Sequence, residues 1–174
     1  MLNIKKEVAM ETDLTPGGTP AYRAFVVISV VANHTYHITL PDFVDAQGDP
    51  ASITVSGHND AETIAEDFVT AINGSNGYTA EAIGPGLYIT RTTPFTITAA
   101  GPASSDSIYA FTDEIQNISR LPAQCKDGYI VKVVNSSDID IDDMYVKFVG
   151  TGGDGTGTWA VSYTHLTLPT TKNV

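Results

Sequence analysis

One stretch of the chain, residues 58–74, carries a strong helical pattern, and it constrains the fold more than any other feature. Asn59 is predicted to be the N-cap, with Glu62 three residues later in capping-box spacing, and Asn73-Gly74 to end the helix. A helix with one apolar stripe has to bury that stripe against another element, and the rest of the chain offers strands. The stripe follows i, i+3, i+4, i+7 spacing and consists of Ala61, Ile64, Ala65, Phe68, Val69 and Ile72.

Three strand patterns precede the helix. Residues 23–31 form a nearly continuous apolar run rich in β-branched residues, which is typical of a strand buried on both faces. Residues 35–40 alternate with period 2, and we expect them to form a hairpin with residues 23–31. Residues 51–56 predict a third strand.

Further strand patterns follow the helix. Residues 78–83 and 87–92 flank Gly84-Pro85-Gly86, which predicts a tight hairpin. Residues 96–99 predict a short strand. Residues 106–116 show only a weak helical pattern, and we interpret them as a short helix or as an irregular connection.

The last third of the sequence predicts a separate β unit. Residues 129–134 and 144–148 alternate on either side of an acidic loop, 135–143, which indicates an antiparallel hairpin. A Gly-rich turn then leads to a third strand at residues 158–161. The predicted fold class is therefore α+β: a mostly antiparallel β-sheet with one amphipathic helix packed on it, followed by a small three-stranded β unit.

These patterns divide the chain into four predicted segments. They are an N-terminal strand end and linker at 1–22, a β-sheet plus helix module at 23–117, the β unit at 118–161 and a tail at 162–174. The tail resembles the translation of a sequencing adapter, so we expect it to be non-native and the chain to be a fragment. The alternative is a real edge strand with alternating Thr and Leu.

Composition excludes several classes of function. The formal net charge is −11, with 20 acidic and 9 basic residues, and no cluster of basic residues occurs that could neutralise phosphates. A single cysteine, Cys125, excludes an internal disulfide and a cysteine metal cluster. No apolar run reaches the length of a membrane-spanning helix.

No catalytic, cofactor-binding or metal-binding residue is predicted. The carboxylates of residues 138–143 suggest calcium, but the spacing lacks the turn glycine and the bidentate Glu of an EF-hand, so a solvated loop or a charged edge strand is favoured. His34 and His37 have no partner ligand by spacing, and His58 is interpreted as a loop residue. Cys125 has no helix or His partner in the sequence and is interpreted as a packing thiol. Carboxylate pairs for glycoside hydrolysis are not singled out by any pattern.

Residues 118–159 contain ISRLP, DGYIVKVVNSS, DDMYVKF and GTW in this order. This order of residues resembles a segment of tail tubular protein B, the nozzle protein family of short-tailed, podovirus-type bacteriophages. The resemblance extends more loosely back to about Phe25, and it is a pattern of strand residues rather than of catalytic ones. The matching positions, for which a structural role is implied, are Ser119, Leu121, Pro122, Gly128, Tyr129, Val131, Lys132, Val133, Tyr145, Val146 and Trp159.

This resemblance implies a structural, non-enzymatic component of the phage tail that forms part of the conduit for genome ejection and needs no cofactor. The implied partners are other copies in a hexameric ring, the upper tail tube protein, tail fibres and genomic DNA only in transit. The implied location is the virion tail, after synthesis in the host cytoplasm. An alternative stays open: a carbohydrate- or host-surface-binding β module, with or without glycan hydrolase activity. Its candidate stacking platforms, which could equally be strand-packing residues, are Tyr36, Tyr88, Tyr109 and Tyr145.

Overall fold

The computed structural model describes residues 22–44, 47–73, 75–102, 106–134 and 144–161. Within these ranges the chain forms one α-helix, eleven strands and a short 3-10 turn at Ile118–Arg120. In chain order the helix and strands are β1 (Tyr22–Ile28), β2 (Thr35–Val44), β3 (Pro50–Ser56), α1 (Ala61–Ile72), β4 (Thr79–Ile83), β5 (Gly86–Arg91), β6 (Thr98–Ala100), β7 (Ile108–Phe111), β8 (Glu114–Ile115), β9 (Ile130–Val133), β10 (Met144–Gly150) and β11 (Gly157–Val161).

The strands form three sheets. Sheet A has the order β4-β5-β1-β7, sheet B the order β3-β2-β6, and sheet C the order β11-β10-β9-β8. Neighbouring strands are antiparallel throughout, except for the parallel pair of β8 and β9. This arrangement confirms the predicted α+β class with a mostly antiparallel sheet and one helix.

Sheet A is the middle layer of the molecule. One face of it packs against α1 and sheet B and forms a core that we call the helix-side core. The opposite face packs against sheet C and forms the sheet-C core. Strand β1 accordingly buries Phe25 on one face and Val26 on the other, which confirms the prediction of a strand buried on both faces.

The helix buries the predicted stripe against sheet A and β3. Ile64, Ala65, Phe68 and Ile72 are buried, and burial of each large apolar side chain contributes about 1.5–3 kcal/mol. The prediction of Asn59 as the N-cap is wrong, because α1 begins at Ala61 and the residue directly before it is Asp60, which caps equally well.

Asp60 caps the helix through two hydrogen bonds to Thr63. Its carboxylate accepts from the Thr63 N–H at 2.9 Å and from the Thr63 hydroxyl at 2.9 Å. This pair replaces the predicted capping box, although Glu62 does lie in the first turn, where it complements the helix dipole. Asn73 ends the helix with an extended backbone.

The predicted hairpin of residues 23–31 with 35–40 is also wrong. β1 pairs with β5 and β7, whereas β2 pairs with β3 and β6, so the chain crosses from sheet A to sheet B between them. A strand that is apolar on both faces gains most from a central position with a neighbour on each edge, and β1 takes that position. The Tyr36 hydroxyl accepts the Val31 N–H at 2.6 Å and fastens the crossing.

Residues 106–116 contain the strands β7 and β8, so the helical interpretation of this stretch is wrong. The hairpin of β4 and β5 around Gly84-Pro85 is confirmed, as is the antiparallel pairing of β9, β10 and β11. β8 adds a fourth strand to the predicted three-stranded unit. It lies before the predicted boundary at 117/118 and pairs with β9 beyond it, and that boundary stays a prediction.

The predictions for residues 1–21, the acidic loop 135–143 and the tail 162–174 concern residues outside those that the structure describes.

Candidate functional site

The residues that match the nozzle family converge on the sheet-C core and on the hairpin of β10 and β11, which we call the covering hairpin. Four of them, Tyr129, Val131, Val133 and Val146, are buried there. The others lie around this core. Leu121 and Trp159 pack against it, and Pro122 contacts Trp159. Ser119 is in the 3-10 turn, and Gly128 is in the turn before β9. Lys132 and Tyr145 are on the opposite face of sheet C.

Tyr129 lies at the centre of an aromatic cluster. Its ring meets those of Phe25, Tyr88 and Phe111 edge-on, with ring centroids 6.1, 6.0 and 5.6 Å apart. Its hydroxyl donates to the Thr112 carbonyl oxygen at 2.9 Å. Burial raises the pKa of Tyr129 well above its ordinary value, so the hydroxyl stays protonated and acts as a fixed donor.

A buried arginine completes the cluster. The Arg23 guanidinium lies over the Tyr129 ring, 4.5 Å from its centroid, and one of its amino groups donates to the Ile130 carbonyl oxygen at 3.4 Å. Its Nε is buried and has no hydrogen-bond partner among the described residues. The π face of Tyr129 and the Ile130 carbonyl oxygen therefore stabilise the positive charge, which also acts electrostatically on Asp113.

Asp113 is half-buried at the edge of this cluster. Burial raises the pKa of its carboxyl, and the positive charge of Arg23 partly opposes that increase. Neither residue was predicted from the sequence. A lone cation at the start of an apolar strand could have indicated Arg23, whereas nothing in the sequence distinguishes Asp113 from the other acidic residues.

Trp159 joins β11 to the segment that follows the 3-10 turn. Its indole N–H donates to the Pro122 carbonyl oxygen at 2.8 Å, and its ring packs edge-on against Phe148 with centroids 5.2 Å apart. Asp127 and Gly128 form a turn before β9, and the Asp127 carboxylate accepts the Gly150 N–H at 2.8 Å. These contacts fix the covering hairpin in place.

Cys125 is fully buried in the sheet-C core, as expected of a packing thiol. Burial raises the pKa of this thiol to about 12. At neutral pH the nucleophilic thiolate is therefore almost absent, which is the behaviour of a structural cysteine.

A shallow cleft of about 180 Å³ lies beside the Gly-rich turn. Ligand pockets usually enclose about 300–1,000 Å³. The Lys126 ammonium at the cleft contacts the Glu81 carboxylate at 2.6 Å, so these two charges satisfy each other. The cleft is smaller than a typical substrate pocket, and its two charged side chains are already paired with each other.

The tyrosines proposed as stacking platforms mostly serve packing. Tyr36 is fully buried and Tyr88 is 7% exposed, so the strand-packing interpretation is confirmed for both. The Tyr109 ring is covered by the Arg120 guanidinium, 4.3 Å from its centroid, and its hydroxyl donates to the Arg120 carbonyl oxygen. Tyr145 is half-buried on the outer side of sheet C.

The three histidines that the structure describes are in separate surroundings. His58 contacts the Asp67 carboxylate at 2.7 Å, His37 shares a hydrogen bond of 3.0 Å with the Thr54 hydroxyl, and His34 is exposed. Across the described ranges, no three His, Cys, Asp or Glu side chains are grouped in a way that could hold a metal ion. Over the same residues, no helix has the length and apolarity required to cross a membrane.

Taken together, the three layers and the two apolar cores between them define a β-rich module. The sequence profile of the bacteriophage nozzle protein family matches residues 1–165, so the chain belongs to that family. A search of curated proteins found no match to the chain. The protein is thus a structural component of a phage tail nozzle and a part of the virion tail, where it assembles with other tail proteins.

Proposed function

We propose that the chain is a tail tubular protein B-like subunit whose module forms part of the wall of the conduit for genome ejection. The observation that carries this proposal is the burial of sheet A on both faces by two continuous cores. Such packing resists deformation, because close-packed interiors have low compressibility. A wall through which DNA is driven needs this mechanical property rather than a reactive centre.

The charge of the chain supports the same role. With a formal net charge of −11, its surface repels the phosphates of DNA instead of neutralising them. DNA in transit would then slide past without being held. The proposed partners are other copies in a hexameric ring, the upper tail tube protein and tail fibres, and the proposed role is non-enzymatic, after synthesis in the host cytoplasm.

Within this role, the residues of the nozzle-like pattern are structural. Tyr129, Val131, Val133 and Val146 fill the sheet-C core, and Trp159 fastens the covering hairpin to Pro122. We assign the pattern to holding sheet C against sheet A. A binding site for a small ligand is not part of this assignment.

Electron cryomicroscopy of tails assembled with the upper tail tube protein from the same phage tests the proposal. We expect the module to be repeated around a ring whose lumen continues that of the tube. Density for the module on a fibre tip, away from any lumen, would contradict the role in the conduit wall.

The carbohydrate-binding alternative is tested on a glycan array with the wild-type chain and the Tyr109→Ala and Tyr145→Ala variants. The structural role predicts no glycan signal above background for any of the three. Strong binding that is lost in either variant would favour the alternative function.

A further inference from the structure

The side of sheet C that faces away from sheet A is mixed, with Lys147 at its centre between apolar side chains. We call it the outer face of sheet C, and it comprises Glu114, Ile130, Lys132, Tyr145, Lys147, Val149, Thr158 and Ala160. Lys147 is flanked by Ile130 on β9 and by Ala160 on β11, its direct neighbours in the strand register. Val149 is 45% exposed and adds apolar surface to this face.

The charges of this face are only partly compensated within the described ranges. Lys147 is exposed and has no salt bridge to any described residue, and Lys132 is 3.8 Å from Glu114, the acidic residue opposite it in the strand register. The chain as a whole carries a net charge of −11. Among the described residues, the outer face of sheet C therefore carries one uncompensated positive charge, that of Lys147, between apolar side chains.

The exposed side of α1 has the opposite character. Glu62 and Glu66 are exposed, and neither forms a salt bridge with a described residue. They are four residues apart on the helix, where like charges repel each other and destabilise the helix. The last turn of α1 contains no basic residue to offset them.

These two surfaces lie on opposite sides of the molecule. The apolar stripe of α1 faces sheet A from one side, and sheet C covers the other face of sheet A. The acidic side of α1 and the outer face of sheet C therefore point in opposite directions. In a two-fold dimer, each copy would have to present both surfaces to its partner at once, which surfaces on opposite sides cannot do. Two copies can instead join head to tail, with the outer face of sheet C of one on α1 of the other.

We propose that the outer face of sheet C in one copy of this chain docks on the exposed side of α1 in a second copy, with Lys147 between Glu62 and Glu66 of that copy. The contact would bury the apolar residues around Lys147 and relieve the repulsion between the two glutamates. It deepens the proposed function, because a head-to-tail contact can be repeated around a ring. It depends on the complementary charge of the two faces and not on the number of subunits.

Charge reversal tests this contact by sedimentation velocity of the 174-residue chain over a concentration series. We expect the wild type to self-associate, and Lys147→Glu and Glu66→Lys each to weaken the association by about tenfold, because each places like charges together. A mixture of the two single variants should associate again, since the glutamate introduced in one copy then meets the lysine introduced in the other. The double variant should associate with itself.

A control variant separates the contact from a general charge effect, and a salt series tests whether the contact is electrostatic. Thr98→Lys adds a lysine on exposed β6, in the same layer as α1 but remote from the helix, and should leave the association unchanged. Raising the salt concentration should weaken the wild type, because the screening length falls from about 10 Å at 0.1 M to about 3 Å at 1 M salt. Circular dichroism melts confirm that each variant is folded.

Cysteine cross-linking locates the contact independently. Cys125 is buried, so it contributes little background. An equimolar mixture of Lys147→Cys and Glu66→Cys should yield a disulfide dimer under mild oxidation, whereas Lys147→Cys mixed with Thr98→Cys should not.

The outcomes distinguish this inference from the proposed function. Restored association in the mixture, together with the cross-link, supports the contact. A wild type that stays monomeric, or one that associates equally well after both single reversals, overturns it. In either of those cases the role in the conduit wall is still decided by where the module lies in the assembled tail.

Discussion

Phe25 and Val26 are neighbours on β1, yet they belong to cores of different character. Val26 enters the helix-side core, where three of sixteen buried residues are aromatic. Phe25 enters the sheet-C core, where five of eleven are aromatic and where the buried Arg23 and Cys125 also lie. The helix-side core consists mainly of aliphatic side chains that follow the periodicity of helix and strands. The sheet-C core consists largely of aromatic rings and a cation from segments that are distant in the chain.

The difference shows how the two layers are specified. Mainly aliphatic side chains fill the helix-side core, and their burial is not directional. Aromatic rings and a guanidinium require particular angles and partners, so the sheet-C core holds sheet C in one position on sheet A. Both cores therefore stabilise the fold by burying apolar side chains, and the sheet-C core in addition fixes the orientation of sheet C.

The largest effect should come from placing a charge in the helix-side core. Phe68 is fully buried, so Phe68→Asp should unfold the layer of α1 and sheet B, because an unpaired buried carboxylate costs several kcal/mol. A circular dichroism melt measures this. Thr70→Asp, on the exposed side of the same helix, is the matched control and should melt near the wild type. An unchanged melting temperature for Phe68→Asp would contradict the packing of α1 in the core.

A cavity in the sheet-C core should separate the two layers. Phe25→Ala removes a fully buried ring, which costs about 3–5 kcal/mol, whereas Val26→Ala removes only two methyl groups and costs less. Hydrogen exchange should show that Phe25→Ala speeds exchange in β9 and β10 most strongly, and that Val26→Ala speeds it in α1. Identical exchange patterns in the two variants would mean that the cores are not separate.

The helix cap should have an effect of intermediate size. Asp60→Ala removes both hydrogen bonds to Thr63 and should lower the free energy of unfolding by about 1 kcal/mol. Asn59→Ala, one residue earlier, should change it by only a few tenths of a kcal/mol. Urea unfolding measures the free energy of unfolding of both variants. A loss for Asn59→Ala as large as that for Asp60→Ala would contradict the assignment of Asp60 as the N-cap.

The smallest effect concerns the electrostatics of the sheet-C core. The folded state raises the pKa of Asp113 through burial, so the stability that this group contributes is full in acid and declines as the pH rises through its folded pKa. Arg23→Met removes a cation that lowers this pKa, so the pKa should rise further and the decline should move to higher pH. The stability at neutral pH should change by about 1 kcal/mol or less.

An NMR titration of the side-chain carboxyl carbons measures the pKa of Asp113 in both proteins. Asp154 is the internal control, because hydrogen bonds from Thr156 lower its pKa and Arg23 is not among the causes. A downward movement of the Asp113 pKa in Arg23→Met would contradict the arrangement of charges described here.

Local patterns predicted much of the fold. The stripe on α1, the alternation in β2 and the Gly84-Pro85 turn depend on neighbouring residues, and each was predicted with the correct type. Strand pairing was predicted less well, because β1 finds its partners β5 and β7 more than fifty residues away. Periodicity carries no information about which edges meet.

The candidate site was the hardest part to predict. The residues of the nozzle-like pattern were identified from the sequence, but the positions of Arg23 and Asp113 beside Tyr129 were not. These residues are far apart in the chain and meet only because sheet C folds over sheet A. The N-cap was missed by one residue because Asn and Asp cap helices almost equally well.

The central claim is that sheet A lies between two cores, and nuclear Overhauser contacts in one sample of the wild-type chain test it most directly. We predict contacts from Val26 to Phe68, from the Phe25 ring to the Tyr129 ring, and between the backbones of β1 and both β5 and β7. Backbone contacts pairing β1 with β2 in a hairpin, with no contact between Phe25 and Tyr129, would contradict it.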